Sequence, residues 1–231
     1  MGELPFDHPE VKKVIDTTLN VLVAESDRGA VLVAAELINN TLGQFLQDIF
    51  PPEFKSSILL NYPGSLSTLS ARADAMYAFR LIGKDIHRVM TLFRRVRNEA
   101  AHSSSDFSLE GQADRLQEAY NELVKPWTSI DHLATKFIVE KLFQWVNADE
   151  DGTWREMYKQ GIFSSPDEVL KEMEKKKKKQ LEGHKPRFRL AVAVSLLCAF
   201  IVYHKKELLA ALGDSGLLIQ IFQQNDGQMK S

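Results

Sequence analysis

The chain has 231 residues, 44% hydrophobic and 26% charged, which is enough apolar material for one substantial core, alone or with an appendage, and argues against disorder. A formal net charge of -2 excludes a global attraction for nucleic acid, so any such contact has to come from a local patch. The single cysteine, Cys198, excludes an internal disulfide framework and a cysteine-based metal cluster and fits a reducing cytoplasm.

The N-terminus, MGELPFDHPEVKKV, has no basic start followed by a long apolar stretch, so no secretory leader is expected. Asp7-His8-Pro9-Glu10 reads as a helix start, because proline pre-sets the first turn, and Val11, Val14, Ile15, Leu19, Leu22 and Val23 then recur on one side. That helix should end near Glu25. Ser26 or Asp27 can cap the next, which runs from Arg28 to Phe50 with Val31, Ala34, Leu37, Ile38, Leu42, Phe45 and Ile49 as its stripe. Pro51-Pro52 stops it. Asp27, Arg28 and Glu36 near its first turns are candidates to meet Arg97 of a later helix in a buried salt bridge. One short helix is expected within residues 53 to 60, followed by the turn Asn61-Tyr62-Pro63-Gly64.

Residues 65 to 102 form two helical patterns hinged at Gly83, and they concentrate the special residues of the chain. In the second pattern Ile86, Val89, Met90, Phe93, Val96 and Ala100 recur at three- and four-residue intervals, the spacing of one buried face. Arg94, Arg95, Asn98 and His102 lie off that seam, whereas Arg97 follows Phe93 by four and should border the core. Asn98 and His102, four apart, share a face near the helix end, where unsatisfied carbonyls favour a protonated imidazole. Between Arg80 and Arg97 stand Arg80, Lys84, Arg88, Arg94, Arg95 and Arg97 against Asp85 alone, and the following residues, Glu99 to Glu122, are mostly acidic. A basic surface next to an acidic one suits self-association as well as RNA.

After a polar break at Ser103 to Asp106, helical patterns resume from Leu109 to Val124 and from Ser129 to Val146, the latter with Leu133, Phe137, Ile138, Leu142 and Trp145 on one face. No alternating strand pattern of useful length occurs, so the fold class is all-α, a compact multi-helix domain over residues 1–147 with a helical C-terminal extension over 148–231. Asn147 to Gly152 imitates half a calcium loop, but the twelfth position, which needs a bidentate glutamate, is Tyr158, so it reads as an acidic connector. Ser165-Pro166-Asp167-Glu168 starts a helix that leads into Lys175 to Lys179, a solvated end. Leu190 to Tyr203 is the most apolar run. It is 14 residues long before charge returns, short of the ~20 that a span needs, so it is expected to be buried in the protein or a partner. Leu217, Leu218, Ile219 and Phe222 could dock as a last turn, and the end should fray.

The order Pro63, Leu66-Ser67-Thr68, Ser70-Ala71-Arg72, Ala75, Tyr77, Leu81-Ile82, Arg97-Asn98 and Ala101-His102, with Ser26-Asp27-Arg28-Gly29, Ala34-Ala35 and Leu37 upstream, resembles the bacterial mannitol operon repressor family over about residues 10 to 147. That resemblance implies a compact all-helical regulator without a recognised DNA-reading motif. Ala100 stands where the family usually has an aromatic residue. The segment Arg97-Asn98-Glu99-Ala100-Ala101-His102 also resembles the Arg, four residues, His signature of HEPN-type domains, which implies a metal-independent ribonuclease completed across a dimer.

Such a nuclease needs a base for the 2'-hydroxyl proton, an acid for the leaving oxygen and a cation for the charge on phosphorus. Arg97 and His102 supply these groups as catalytic candidates, Asn98 could orient the imidazole, and Arg94 and Arg95 could place the backbone. The same residues, if structural, would tie the loop at Ser103 to the second helix. G-x-S-x-G, P-loop, H-E-x-x-H and dinucleotide fingerprints are absent, and the six histidines show no metal-ligand spacing, so neither a metal nor a cofactor is expected. The expectation is a cytoplasmic regulator that binds through Asp27, Arg28, Arg94, Arg95, Arg97, Asn98 and His102 to a protein partner or a second copy of itself. Direct specific DNA reading is not expected, and RNA enters only under the ribonuclease alternative.

Overall fold

The computed structural model describes residues 8–51, 53–103, 106–124, 129–138 and 183–214, with isolated positions between 159 and 175. Every regular element among them is a helix. Helix α1 (Pro9–Ala24) begins where His8 Nδ1 accepts the Glu10 amide and proline occupies the first turn. Helix α2 (Asp27–Ile49) begins on Ser26, whose hydroxyl accepts the Gly29 N–H at 3.1 Å. These caps satisfy amides that a helix start otherwise leaves without partners. A single turn, α3 (Ser57–Leu60), precedes α4 (Leu69–Ala78), which Thr68 caps through the Ala71 amide. Helix α5 (Lys84–His102) follows a turn over residues 79–83 in which Arg80 takes the left-handed conformation, φ 58°. A 3-10 turn (Glu110–Gln112), α6 (Ala113–Val124), a helical segment over 130–138 and α7 (Lys185–Asp214) complete the described chain.

Cross-helix contacts fix the directions. Helix α7 runs antiparallel to α1, with Arg187 donating to the Glu25 carbonyl at one end and Lys206 meeting His8 at the other. It runs parallel to α2, pairing Arg187 with Asp27 at 3.2 Å and Lys205 with Asp48 at 2.7 Å. Helix α5 is antiparallel to α2, because Arg28 at the start of α2 donates to the Ser103 carbonyl after the end of α5 at 3.1 Å. It is antiparallel to α6 as well, where Arg88 pairs with Glu118 and Glu122.

The seam of α5 buries Val89, Met90, Phe93, Val96 and Ala100, as the spacing predicts; Leu92 joins them and Ile86 is half-buried. These side chains belong to one apolar cluster that also takes in Leu22, Ile38, Phe45, Leu116, Phe188 and Leu197. Each such side chain contributes about 1.5–3 kcal/mol on leaving water. The boundary placed at 147/148 lies outside the described residues, and helices from both sides of it share this core. The apolar run Leu190 to Tyr203 belongs to a longer helix than expected. Residues Lys185–Ala211 are long and apolar enough to cross a membrane by length and composition, yet 61% of the 18-residue apolar window within them is buried inside the protein, and the helix packs above all against α1 and α2. The acidic connector Asn147 to Gly152, the helix start at Ser165, the lysines after Lys175 and the stretch Leu217 to Phe222 lie outside the described residues.

Candidate binding clefts on α5

The site is built on a clamp between α2, α4 and α5. Arg72 on α4 is only 7% exposed, and its guanidinium donates to the carbonyls of Leu66 (2.7 Å), Leu60 (2.8 Å) and Asn39 (2.7 Å) and to Asn39 Oδ1 (2.9 Å). Burial lowers its pKa from the ordinary arginine value, and the nearby Glu36 charge opposes that. Carbonyls solvate this cation from three stretches of chain, and so α2, the 60–66 connection and α4 are held in one arrangement. Gly43 makes room for it on α2, since a Cβ there would sit 2.7 Å from Arg72 Nη1.

Helix α4 then lies antiparallel on α5. Near the start of α5, His87 Nε2 meets Asp74 Oδ1 at 2.8 Å and the His87 ring stacks on Tyr77, with centroids 4.7 Å apart. Further along, Arg94 donates to the Ser70 hydroxyl. The His87 hydrogen bond is the main reason that the Asp74 carboxyl lies below its ordinary pKa; partial burial opposes it, and Ser70 assists. Because α4 starts at Leu69, the level of Arg94, nothing from α4 covers the last two turns of α5.

Two clefts open there. One, of about 700 Å³, has α2 (Glu36, Asn39), the start of α4 (Thr68, Ser70) and α5 (Arg94, Arg97, Asn98) as walls. The other, of about 460 Å³, is lined by Arg95, Asn98, Glu99, His102, Ser103 and Arg115. Asn98 borders both. Arg97 and His102 therefore line different clefts, so among the described residues these two catalytic candidates do not meet around one position, and the cleft of His102 holds Arg95, Glu99 and Arg115 instead. What the arrangement can do is bind: guanidinium and amide donors on open walls suit anions and carbonyl-rich surfaces.

Several expectations change. Arg97 does not border the core: it is exposed, and its one polar contact among the described residues is with Asn98 Oδ1 at 3.4 Å. It stands two turns past Met90 on nearly the same side, but there, past the start of α4, the neighbouring wall is an open cleft. Asp27 and Arg28 do not meet Arg97. Asp27 accepts the Leu109 amide at 3.0 Å and pairs with Arg187, so both residues brace the fold. Among the described residues it is Arg28 that ties the Ser103 carbonyl to α2. Arg95, Asn98 and His102 are exposed, and Arg94 is half-buried. Sequence reasoning missed Asn39 and Arg115 and met Arg72 only within the Ser70-Ala71-Arg72 motif, not as a buried clamp; Gly43, amid the apolar stripe of α2, is a further signal for it.

Among the described residues no group of three His, Cys, Asp or Glu side chains is placed to hold a metal ion. No protein-family model matches the chain, and no curated protein and no solved structure matches it.

Proposed function

We propose that this chain is a cytoplasmic regulatory protein of the kind that the mannitol operon repressor resemblance implies, acting by binding a protein partner or a second copy of itself. The observation that carries the reading is the division of labour along α5. Its seam side is core, while Arg95, Arg97, Asn98 and His102 on its last turns are exposed and, among the described residues, make no side-chain hydrogen bond or ion pair to another helix. Charged and amide side chains with no intramolecular duty are available for recognition. Direct reading of DNA is disfavoured, since His87, in the first turns of α5, is engaged by Asp74 and Tyr77 and does not offer a free edge to a base.

Expression profiling after deletion tests this, with rescue by wild type or by an Arg95→Glu, Arg97→Glu double variant that melts like wild type. The expected result is a small set of transcripts that change on deletion and are restored by wild type alone. Equal rescue by the double variant, or no transcript change, would remove the reading. The ribonuclease alternative has one observation in its favour: His102 is exposed beside Asn98 and Arg95, where a second copy could bring an Arg97 to it.

A further inference from the structure

We propose that the cleft between α2, the start of α4 and α5 is a binding site for a small phosphate-bearing ligand, with Arg94, Arg97 and Asn98 as the groups that hold the phosphate. Arg94 and Arg97 are three apart on α5 and line the same 700 Å³ cleft. Like charges at that spacing repel. Neither has a carboxylate within ion-pair distance among the described residues: Arg94 is bonded to the Ser70 hydroxyl and Arg97 only to Asn98 Oδ1. Two guanidinium groups on one wall of a recess, neither in direct contact with a carboxylate among the described residues, suit a dianion with three acceptor oxygens. Because Asn98 Oδ1 faces Arg97, its amide N–H groups remain as further donors.

The helix end at α4 is not what carries the site, since the Thr68 hydroxyl already accepts the Ala71 amide. Size and polarity narrow the ligand. Leu32, Ala35 and Leu69 give the recess an apolar lining, and Glu36 and Asn39 place acceptors on the α2 wall. A phosphomonoester of a small molecule with hydroxyl or amine donors matches both walls, with its phosphate at α5 and its donors toward Glu36. A carboxylate ligand would leave one guanidinium uncompensated. The proposal does not depend on the regulatory reading, because binding is measured on the isolated protein.

The test is calorimetric titration of the full chain with inorganic phosphate at pH 7.5, with chloride adjusted to hold ionic strength constant. Saturable binding at one site is expected, with a Kd on the order of 1 mM. Arg97→Gln should weaken it about tenfold, as loss of a charge-assisted pair does. Glu36→Gln should tighten it by about threefold, because a like charge leaves the cleft. Lys84→Gln, the same charge change at the other end of α5, should leave Kd within about twofold. Arg94→Gln should also weaken binding, and its melting curve is recorded because Arg94 braces Ser70. A response that does not saturate, equal losses in Arg97→Gln and Lys84→Gln, or a Kd unmoved by Glu36→Gln would each overturn the site.

Discussion

Replacing Gly43 with alanine would place a methyl group 2.7 Å from Arg72 Nη1 and 3.0 Å from its Cζ. In an unhindered helix interior the same change stabilises by about 1 kcal/mol. Here the guanidinium has little freedom to give way, because Nη1, the atom nearest the methyl, donates to both the carbonyl and the side chain of Asn39. Displacing it sacrifices one charged hydrogen bond, about 1.5–3 kcal/mol, so Gly43→Ala should destabilise wild type by roughly 1 kcal/mol net. Arg72→Ala should cost about 3–5 kcal/mol, since it strands the Leu60, Leu66 and Asn39 carbonyls and opens a cavity. In that background the alanine methyl meets empty space, and Gly43→Ala should instead stabilise by about 1 kcal/mol. The sign therefore reverses, with a coupling energy of about 2 kcal/mol. Urea denaturation of the four proteins, followed by far-ultraviolet circular dichroism, measures it. If Gly43→Ala changed stability by the same amount and sign in both backgrounds, the packing of Arg72 against α2 would be wrong.

Two further outcomes follow from the same structure. The folded pKa of Asp74 is depressed by His87, so its contribution is complete above the unfolded carboxylate value and disappears as pH falls through the lowered one. Because the Asp74 side chain is 63% exposed, Asp74→Asn should cost only ~0.5 kcal/mol at pH 7 and nothing near pH ~2. A stability difference that grew on acidification would contradict this. Cys198 is buried and its thiol is pushed up to about 11 by burial, with a hydrogen bond from Thr41 acting the other way. Labelling by a thiol reagent at pH ~8 should then track unfolding, and full labelling of native protein within seconds would contradict the burial.

The helices were legible because their signals are local. Pro9 and Ser26 stand before apolar repeats, and the seam of α5 is written at three- and four-residue intervals. Arg72 was not legible as a buried group, since its acceptors come from residues 39, 60 and 66, and no neighbour in sequence announces them. Arg97 shows the complementary failure. Its helical phase does point toward the core side, but exposure there depends on where α4 begins, which is a property of a different segment. The roles of Asp27 and Arg28 were misassigned for a similar reason: both are charged residues at a helix start, yet their partners are Arg187, the Leu109 amide and the Ser103 carbonyl, 75 or more positions away. The length of α7 is not legible from the apolar run Leu190 to Tyr203, because the helix continues through the charged residues Arg187, Arg189, Lys205 and Lys206 that flank it.

The central claim is that Arg97, Asn98 and His102 form a recognition surface, neither a brace of the fold nor a catalytic set. Incubating the purified protein with RNA in excess chelator tests it most directly, with wild type compared with Arg97→Ala and His102→Ala and melting curves recorded beside each. The account predicts no cleavage by any of the three and melting curves that agree to within about 0.5 kcal/mol, since both side chains are exposed. Chelator-resistant cleavage that leaves cyclic-phosphate ends and is lost in a fully folded His102→Ala would contradict it and make the chain a ribonuclease.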